Sequence, residues 1–517
     1  MRRALIAAIA ALAVALVAAP VASAIDRVNT RELRRGVTLD GILEHQRAFQ
    51  DIAIANDGNR AATTPGYDAS VEYVANRLRR AGYRVTLDPF SFPSWTQNGP
   101  ATFQRTDVDP DLTYVEGTDF IVAQFSGSAD VTGPIFVAGR TELPEPAAGP
   151  GMSMSGCARS DFDGIPAGAV ALVQRGTCPF TQKYENARDA GAAAVLIFND
   201  GFEDRTAPLE TTAPFDNTIP AAMISNAIGE ELAGAPGATV RIAVSATVTP
   251  NDEINVIADS VRGNRDRTIV VGAHLDSVEA GPGINDNGSG TSTILEIAEE
   301  IAESGDRPRN RLRFAFWGAE EAGLVGSTAY VDEQVENGNI DQIEANLNFD
   351  MVGSPNFVRF VYDGDLSDSA PPPGGAPNGS GQIERLFTRY FDRQGLPHEP
   401  TAFDGRSDYG PFIAPEAGVP AGGLFTGAEG IKTEAQEELY GGVAGLPYDP
   451  CYHQECDTFF NLSYTALDQM SDAAAHATWT LAESRSEVAQ ASAAKAKKGK
   501  KAKRGQALKY KGPYRVR

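Results

Sequence analysis

The sequence predicts an α/β fold: a mixed, largely parallel sheet with helices on both faces, interrupted by a β-rich insert. Three observations lead there. Residues 40–56 and 67–82 space their apolar positions for helices, through Ile42, Leu43 and Phe49 and then Val71, Tyr73, Val74 and Leu78. From about residue 118 the chain turns to short apolar runs among Gly and Pro. After residue 252 strand, loop and helix alternate, and the strands are almost continuously apolar, as strands buried on both faces are.

The elements follow in order. Residues 1–24 (MRRALIAAIAALAVALVAAPVASA) have a basic start, an apolar run and a small-residue exit, the pattern of a secretory signal cut after Ala24. The residues after Arg2-Arg3 do not fit a twin-arginine signal, and no other run approaches a membrane span. A soluble, exported protein is expected. After the two helices, YRVTLDPFSF reads as a strand. FIVAQFSG, GPIFVAG, GAVALVQRG, AAAVLIFND, IPAAMIS and ATVRIAVSATV then read as insert strands, with TQKYENARDAGA as a helix among them. NVIADSV, RTIVVGAHLDS, a helix over 289–303, LRFAFWGAEE and a further helix resume the α/β pattern, and residues 364–381 read as a loop. A chain of 517 residues is too long for one ordinary core. The expected division is 37–117 with 251–484 as one discontinuous domain, 118–250 as the insert, and 485–517 as a basic disordered tail.

Charge is divided unevenly. The chain carries −23, yet after residue 484 twelve basic residues meet one acid, Glu487. The acidic remainder excludes nucleic-acid binding. The tail is read either as a contact to an anionic cell envelope, as a disordered segment folded back on the acidic core, or as a solvated extension. Four cysteines form two local pairs, Cys157/Cys178 and Cys451/Cys456, and in an exported protein two disulfides are the natural reading. A Cys-ligated zinc site is the rival, with no histidine near the first pair and His453 inside the second.

Five residues that bind zinc well recur in separate motifs: His274 in VVGAHLDS, Asp286 in GPGINDNGSG, Glu321 in FAFWGAEEAGL, Asp350 in NLNFDMVGS and His453 in CYHQECD. Two imidazoles and three carboxylates can hold two zinc ions if one carboxylate bridges. In an α/β sheet, function collects at the C-terminal ends of strands, where His274, Glu321 and Asp350 fall. Asp286 sits in a glycine-rich loop joining a strand end to a helix start, which favours it as the bridge, although an ordinary Asn-Gly turn has the same composition. Asp276 can orient the His274 ring. Of the adjacent Glu320 and Glu321, one can ligate while the other faces water; two acids at a helix N-terminus are the commonplace alternative. Singly each motif has an ordinary structural explanation. Jointly they point to metal-assisted hydrolysis.

HLDS, GINDNGSG, FWGAEE, NFDM and CYHQECD, in that order, resemble the secreted co-catalytic dizinc aminopeptidases of the bacterial leucine aminopeptidase type, on the Zn-dependent exopeptidase fold. FDGRSDYGPF and GGLFTGAE belong to the same pattern, and the likeness covers most of residues 37–115 and 253–484. The resemblance implies two Zn²⁺, one on His274, Asp286 and Asp350, the other on Asp286, Glu321 and His453. It implies a cis peptide bond after Asp286, Glu320 as general acid/base, Tyr452 as an oxyanion donor, and Arg406 as a substrate contact. Met351 and Phe425 would line an apolar pocket for a Leu-like first residue, or simply pack the core. Peptide and protein N-termini are the expected substrates, and a monomer is expected. Some relatives bind calcium through two late aspartates and an early acid. Asp468 and Asp472 match the late pair, but Gly36 stands at the early position, which counts against a calcium site.

VALVQRGTCPFTQKYENARDAGAAAVLIFND resembles a protease-associated domain over about 118–250, with Cys157–Cys178 as its bridge. Such domains hold no catalytic residues; they cover the cleft and influence substrate access, or serve only as a stabilising surface. Alternative readings on the same fold are a carboxypeptidase, which needs an arginine cluster not seen near the motifs, and a glutaminyl cyclase, which works with one zinc. A metal-free binding protein is the alternative from another class, and such proteins have usually lost ligands that are all present here.

Overall fold

The computed structural model describes residues 25–489, except 26, 148, 203–204, 210–214 and 373. The signal segment and residues 490–517 of the basic tail lie outside the described residues.

An eight-stranded mixed sheet forms the centre of the larger unit. Its order runs Arg84–Gln97, Ala246–Asp259, Asn310–Trp317, Asn264–His274, Ile343–Phe349, Ala421–Phe425, Phe360–Tyr362, Glu399–Thr401. The middle four strands of that order, from Asn310–Trp317 to Ala421–Phe425, are mutually parallel. The flanking strands Ala246–Asp259 and Phe360–Tyr362 pair antiparallel to them.

The period-two pleat of the apolar strands explains why both faces are covered. Ile269, Val271 and Ala273 point to one face, with Leu312, Phe314, Phe316, Leu347 and Phe349, and pack against helices Leu39–Ala55, Pro65–Arg80, Gly288–Ser304, Ser380–Gln394 and Tyr464–Glu483. Val270, Ala315 and Trp317 point the other way, towards Tyr330 and Val331 of helix Val325–Glu336 and towards Phe412.

The insert builds a second eight-stranded sheet. Strands Ala129–Val137, Val170–Gln174, Ala194–Phe198 and Ala221–Ile224 are parallel at its centre, with helices Phe180–Asp189 and Asn226–Ala233 beside them. Cys157–Cys178 is bridged within it. Thr102–Arg105 and Leu112–Thr113 hydrogen-bond into this sheet, so the unit starts before residue 118. These strands have four and two residues, too short to show a period.

Packing also reaches beyond the other expected boundaries. Leu33 of helix Arg31–Gly36 joins the main core, as does Val488, which is 1% exposed and the fourth residue of the expected tail. Arg267 holds this segment by donating to the carbonyls of Arg485 and Ser486.

Candidate metal centre and active site

Four loops at the C-terminal ends of the parallel strands converge on one point. His274 is the last residue of its strand. Glu320 and Glu321 follow Asn310–Trp317 and Asp350 follows Ile343–Phe349. Asp286 lies just ahead of helix Gly288–Ser304, and His453 comes from a loop closed by the Cys451–Cys456 disulfide.

Asp286 stands between two imidazoles. Its Oδ1 is 3.2 Å from Nε2 of His274, and its Oδ2 is 3.1 Å from Nε2 of His453. Asp350 Oδ1 lies 3.4 Å from the same His274 nitrogen, and Glu321 Oε2 lies 3.1 Å from that of His453. The ligand atoms of His274, Asp286 and Asp350 fall within 4.8 Å of one another, as do those of Asp286, Glu321 and His453. Asp286 is common to both sets.

The local sequence explains the convergence. The Asp286–Asn287 peptide bond is cis, and the two asparagines flanking Asp286 cross-link its loop to the neighbouring strand end. Asn287 donates to the carbonyl of Phe349 at 3.0 Å and accepts from the N–H of Met351 at 3.2 Å. Its Oδ1 also caps the helix by accepting from Gly290 N. Asn285 accepts from Gly353 N and donates to Asp449 Oδ2 at 2.6 Å. A Cβ on Gly290 would lie 2.0 Å from the Phe349 carbonyl, so only glycine lets the helix start approach the strand that ends in Asp350.

Three non-glycine residues at the site have left-handed backbone: Ala319 (φ 53°), Met351 (φ 51°) and His453 (φ 57°). Such conformations cost about 1–3 kcal/mol each and persist where surrounding contacts over-determine them. Here each adjoins or is a metal-binding residue type.

Asp276 meets the His274 ring through two oxygens. Its backbone carbonyl, rather than its carboxylate, makes the closer contact to His274 Nδ1, at 3.1 Å against 3.5 Å. The carboxylate accepts the N–H of Glu320 at 3.1 Å and of Glu321 at 3.2 Å.

The site calls for positive charge. Burial opposes ionisation of Asp286, yet hydrogen bonds from His274 and His453 hold it well below the ordinary carboxylate range. Burial would likewise depress His453, but Asp286 and Glu321 push it up to about 10. His274 is carried well above its usual value against burial, by Asp350 and Glu320 first. The buried Oδ1 of Asp350 accepts no hydrogen bond, while its Oδ2 accepts from Ser407 at 2.6 Å. Three carboxylates crowding two imidazoles, with an oxygen left for a cation, fit two divalent metal ions with nitrogen and oxygen ligands.

Beside this centre a cavity of about 160 Å³ is lined by Glu320, Asp350, Met351, Arg406, Phe425 and Tyr452, among others. Tyr452 stacks on His453 with ring centroids 3.8 Å apart. Arg406 reaches Glu429 at 3.3 Å on the rim. Asp472, of the late aspartate pair, takes a 3.1 Å contact from Arg34.

Some supporting residues escaped the sequence reading. Asp457 accepts the N–H groups of Asn285 and Asp286 at 2.9 and 3.0 Å, and burial with the nearby Asp449 pushes it up to about 8. Asp457 and Ser407 lie inside recognised motifs, so a short polar residue beside a ligand was the available signal. Arg60 gave none. It is fully buried and donates to the carbonyls of Leu275, Pro282 and Gly283, stapling the loop that carries Asp286 to the His274 strand.

The family model for peptidase family M28 matches residues 255–478, and that for the PA domain matches residues 131–232. An aminopeptidase of Pseudomonas aeruginosa (strain UCBPP-PA14) is 44% identical over 455 residues, which cover 86% of this chain and 81% of the relative. Leucine aminopeptidase 2 of Arthroderma otae is 36% identical over 460 residues, 87% of this chain and 86% of the relative. Among solved structures, the aminopeptidase from Aneurinibacillus sp. strain AM-1 superposes with a TM-score of 0.66 at 24% identity, covering 89% of this chain and 98% of that one. That last likeness concerns the fold.

Proposed function

This chain belongs to peptidase family M28 and is a zinc aminopeptidase, and on that premise we propose that it removes hydrophobic, Leu-like N-terminal residues from peptides through a two-zinc centre. The observation that carries the reading is the position of Asp286, one oxygen towards His274 and the other towards His453. His274, Asp286 and Asp350 would hold one ion, and Asp286, Glu321 and His453 the other.

Bound there, zinc supplies Lewis acidity that lowers the pKa of a water and polarises the scissile carbonyl. Glu320, 2% exposed and lining the cavity, takes the water's proton and returns it to the departing amine. The Tyr452 hydroxyl donates to the carbonyl oxygen as it gains charge. The substrate's α-ammonium meets the carboxylates of the cavity floor, which limits cleavage to the first residue. Met351 and Phe425 supply an apolar wall for its side chain, and Arg406 steadies the peptide beyond it.

A carboxypeptidase would need cations for a terminal carboxylate. Arg406 is the one basic residue lining the cavity among the described residues, and Glu429 already engages it. Export is read from residues 1–24, and no described helix is long and apolar enough to cross a membrane. The two domains are read as a discontinuous peptidase unit and an inserted protease-associated unit that influences substrate access.

Purified protein assayed on a panel of aminoacyl-p-nitroanilides, with metal content measured in parallel, tests the reading. Leu above Ala, Glu and Lys, with two zinc ions per chain, is expected. Activity on blocked peptides in preference to free N-termini, or turnover with no bound metal, overturns it.

A further inference from the structure

A second cavity, of about 760 Å³, opens between the segment 27–34, helix Ser380–Gln394 and helix Tyr464–Glu483. Its lining includes Arg27, Arg31, Arg34, Arg385, Arg389 and Arg393, and no carboxylate among the described residues. This concentration of cations occurs in a chain with 68 acidic and 45 basic residues. Three of the six are already engaged: Arg34 with Asp472 at 3.1 Å, Arg385 with Asp365 at 3.2 Å, and Arg393 with Nε2 of His476 at 3.2 Å. Arg27, Arg31 and Arg389 are exposed and form no ion pair among the described residues.

Arg385, Arg389 and Arg393 recur every fourth residue, so they stand on one helix face as like-charged neighbours. That arrangement weakens a helix unless an anion lies across it. Two buried polar side chains point the same way. Gln382, 7% exposed and lining the cavity, has no hydrogen bond on either Oε1 or Nε2. Thr480, 1% exposed and also lining it, has an unpartnered Oγ1. Buried groups of this kind are normally satisfied, and here the residues that carry them border the cavity.

We propose that this cleft binds a ligand carrying two or more phosphate groups. Guanidinium forks match phosphate oxygens bidentately, and each phosphate brings up to two charges on a compact group. With Arg34 and Arg385 paired to carboxylates, the four guanidiniums of Arg27, Arg31, Arg389 and Arg393 remain, more charge than a single phosphate neutralises. A run of carboxylates along an acidic peptide brings one charge per residue and fills the cleft less densely. The assignment is independent of the catalytic reading, since none of these residues belongs to the metal centre.

The test is inorganic tripolyphosphate binding to the full chain, measured by calorimetry at two salt concentrations, against the variant combining Arg31→Glu with Arg389→Glu. Both proteins keep the same basic C-terminal residues, so the difference reports the cleft alone. Unchanged turnover of Leu-p-nitroanilide confirms folding, and Arg31→Gln with Arg389→Gln replaces the charge reversals if they impair it. Salt-sensitive binding that weakens about tenfold or more in the variant is expected. Parallel sedimentation with cardiolipin vesicles, whose lipid carries two phosphates, separates the sources: variant-sensitive retention assigns the phosphates to lipid headgroups, and variant-sensitive binding of tripolyphosphate alone assigns a soluble or polymeric phosphate. Equal affinity of variant and wild type, no binding of either probe, or tighter binding of poly-glutamate than of tripolyphosphate overturns the proposal.

Discussion

Asp276 holds Glu320 by its backbone: the Asp276 carboxylate accepts the Glu320 N–H at 3.1 Å through Oδ1 and the Glu321 N–H at 3.2 Å through Oδ2. With its own carbonyl 3.1 Å from His274 Nδ1, this one residue sets the relative positions of a metal-binding imidazole, a metal-binding carboxylate and the proposed base. Asp276→Asn replaces an acceptor oxygen with an amide that faces a backbone N–H. Zinc affinity should fall about 10- to 100-fold, read by competition with a chromogenic chelator. An affinity equal to wild type would remove Asp276 from this role.

Glu320→Gln keeps the shape of the side chain and removes its proton chemistry. Zinc content should stay at the wild-type value while kcat on Leu-p-nitroanilide drops about 10²- to 10⁴-fold. Elemental analysis alongside steady-state kinetics checks both halves of the expectation.

Phe425→Ala opens the apolar wall of the smaller cavity. Discrimination between Leu and Ala anilides, as the ratio of kcat/KM, should narrow by roughly 10-fold, the value of a few buried methylenes. A ratio that stays constant would place the first side chain elsewhere.

Metal removal should abolish turnover and also lower stability, because the acidic cluster is then left without its cations. A ligand at about 1,000 times its Kd stabilises the folded state by about 4 kcal/mol. Chelation should therefore lower the thermal midpoint, and added zinc should restore both midpoint and activity. Loss of activity with no change in midpoint would argue that zinc does not bind among the buried carboxylates.

His476 predicts an acid limit. Burial, then Arg393 and Arg34, lower it from 6.5 to about 4, so the folded protein holds the ring neutral. The unfolded chain binds the proton more readily, and stability is therefore full above about pH 6.5 and is lost as pH falls towards 4. Between pH 7 and 5 this one group should cost about 2 kcal/mol. The denaturation midpoint of His476→Gln should fall less over that interval than that of wild type. Parallel curves for the two proteins would contradict the assignment.

Much of the fold is written locally. The apolar spacing of residues 40–56 and 67–82 corresponds to helices Leu39–Ala55 and Pro65–Arg80, and TIVVGAH and LRFAFW are central parallel strands. A period of two or 3.6 is a property of neighbouring residues, so a sequence displays it directly. By the same logic the strand-end positions of His274, Glu321 and Asp350 could be read from the apolar runs that precede them. The short strands Thr102–Arg105 and Leu112–Thr113 show no period, and their place in the insert's sheet depends on a partner more than a hundred residues away, at Thr239–Val244.

What the amino-acid order determined, then, was which side chains of metal-binding type stand at strand ends, and which cysteines lie close enough along the chain to join. Tertiary structure alone decided which oxygen of Asp286 faces which imidazole, that Asp276 grips two backbone N–H groups, and that Arg60 fastens the loop from beneath. It also gathered six arginines into one cleft from segments far apart in sequence. The physical reason is one of range. Periodicity and capping act over a few residues, whereas hydrogen-bond direction and charge convergence exist only once distant segments have packed.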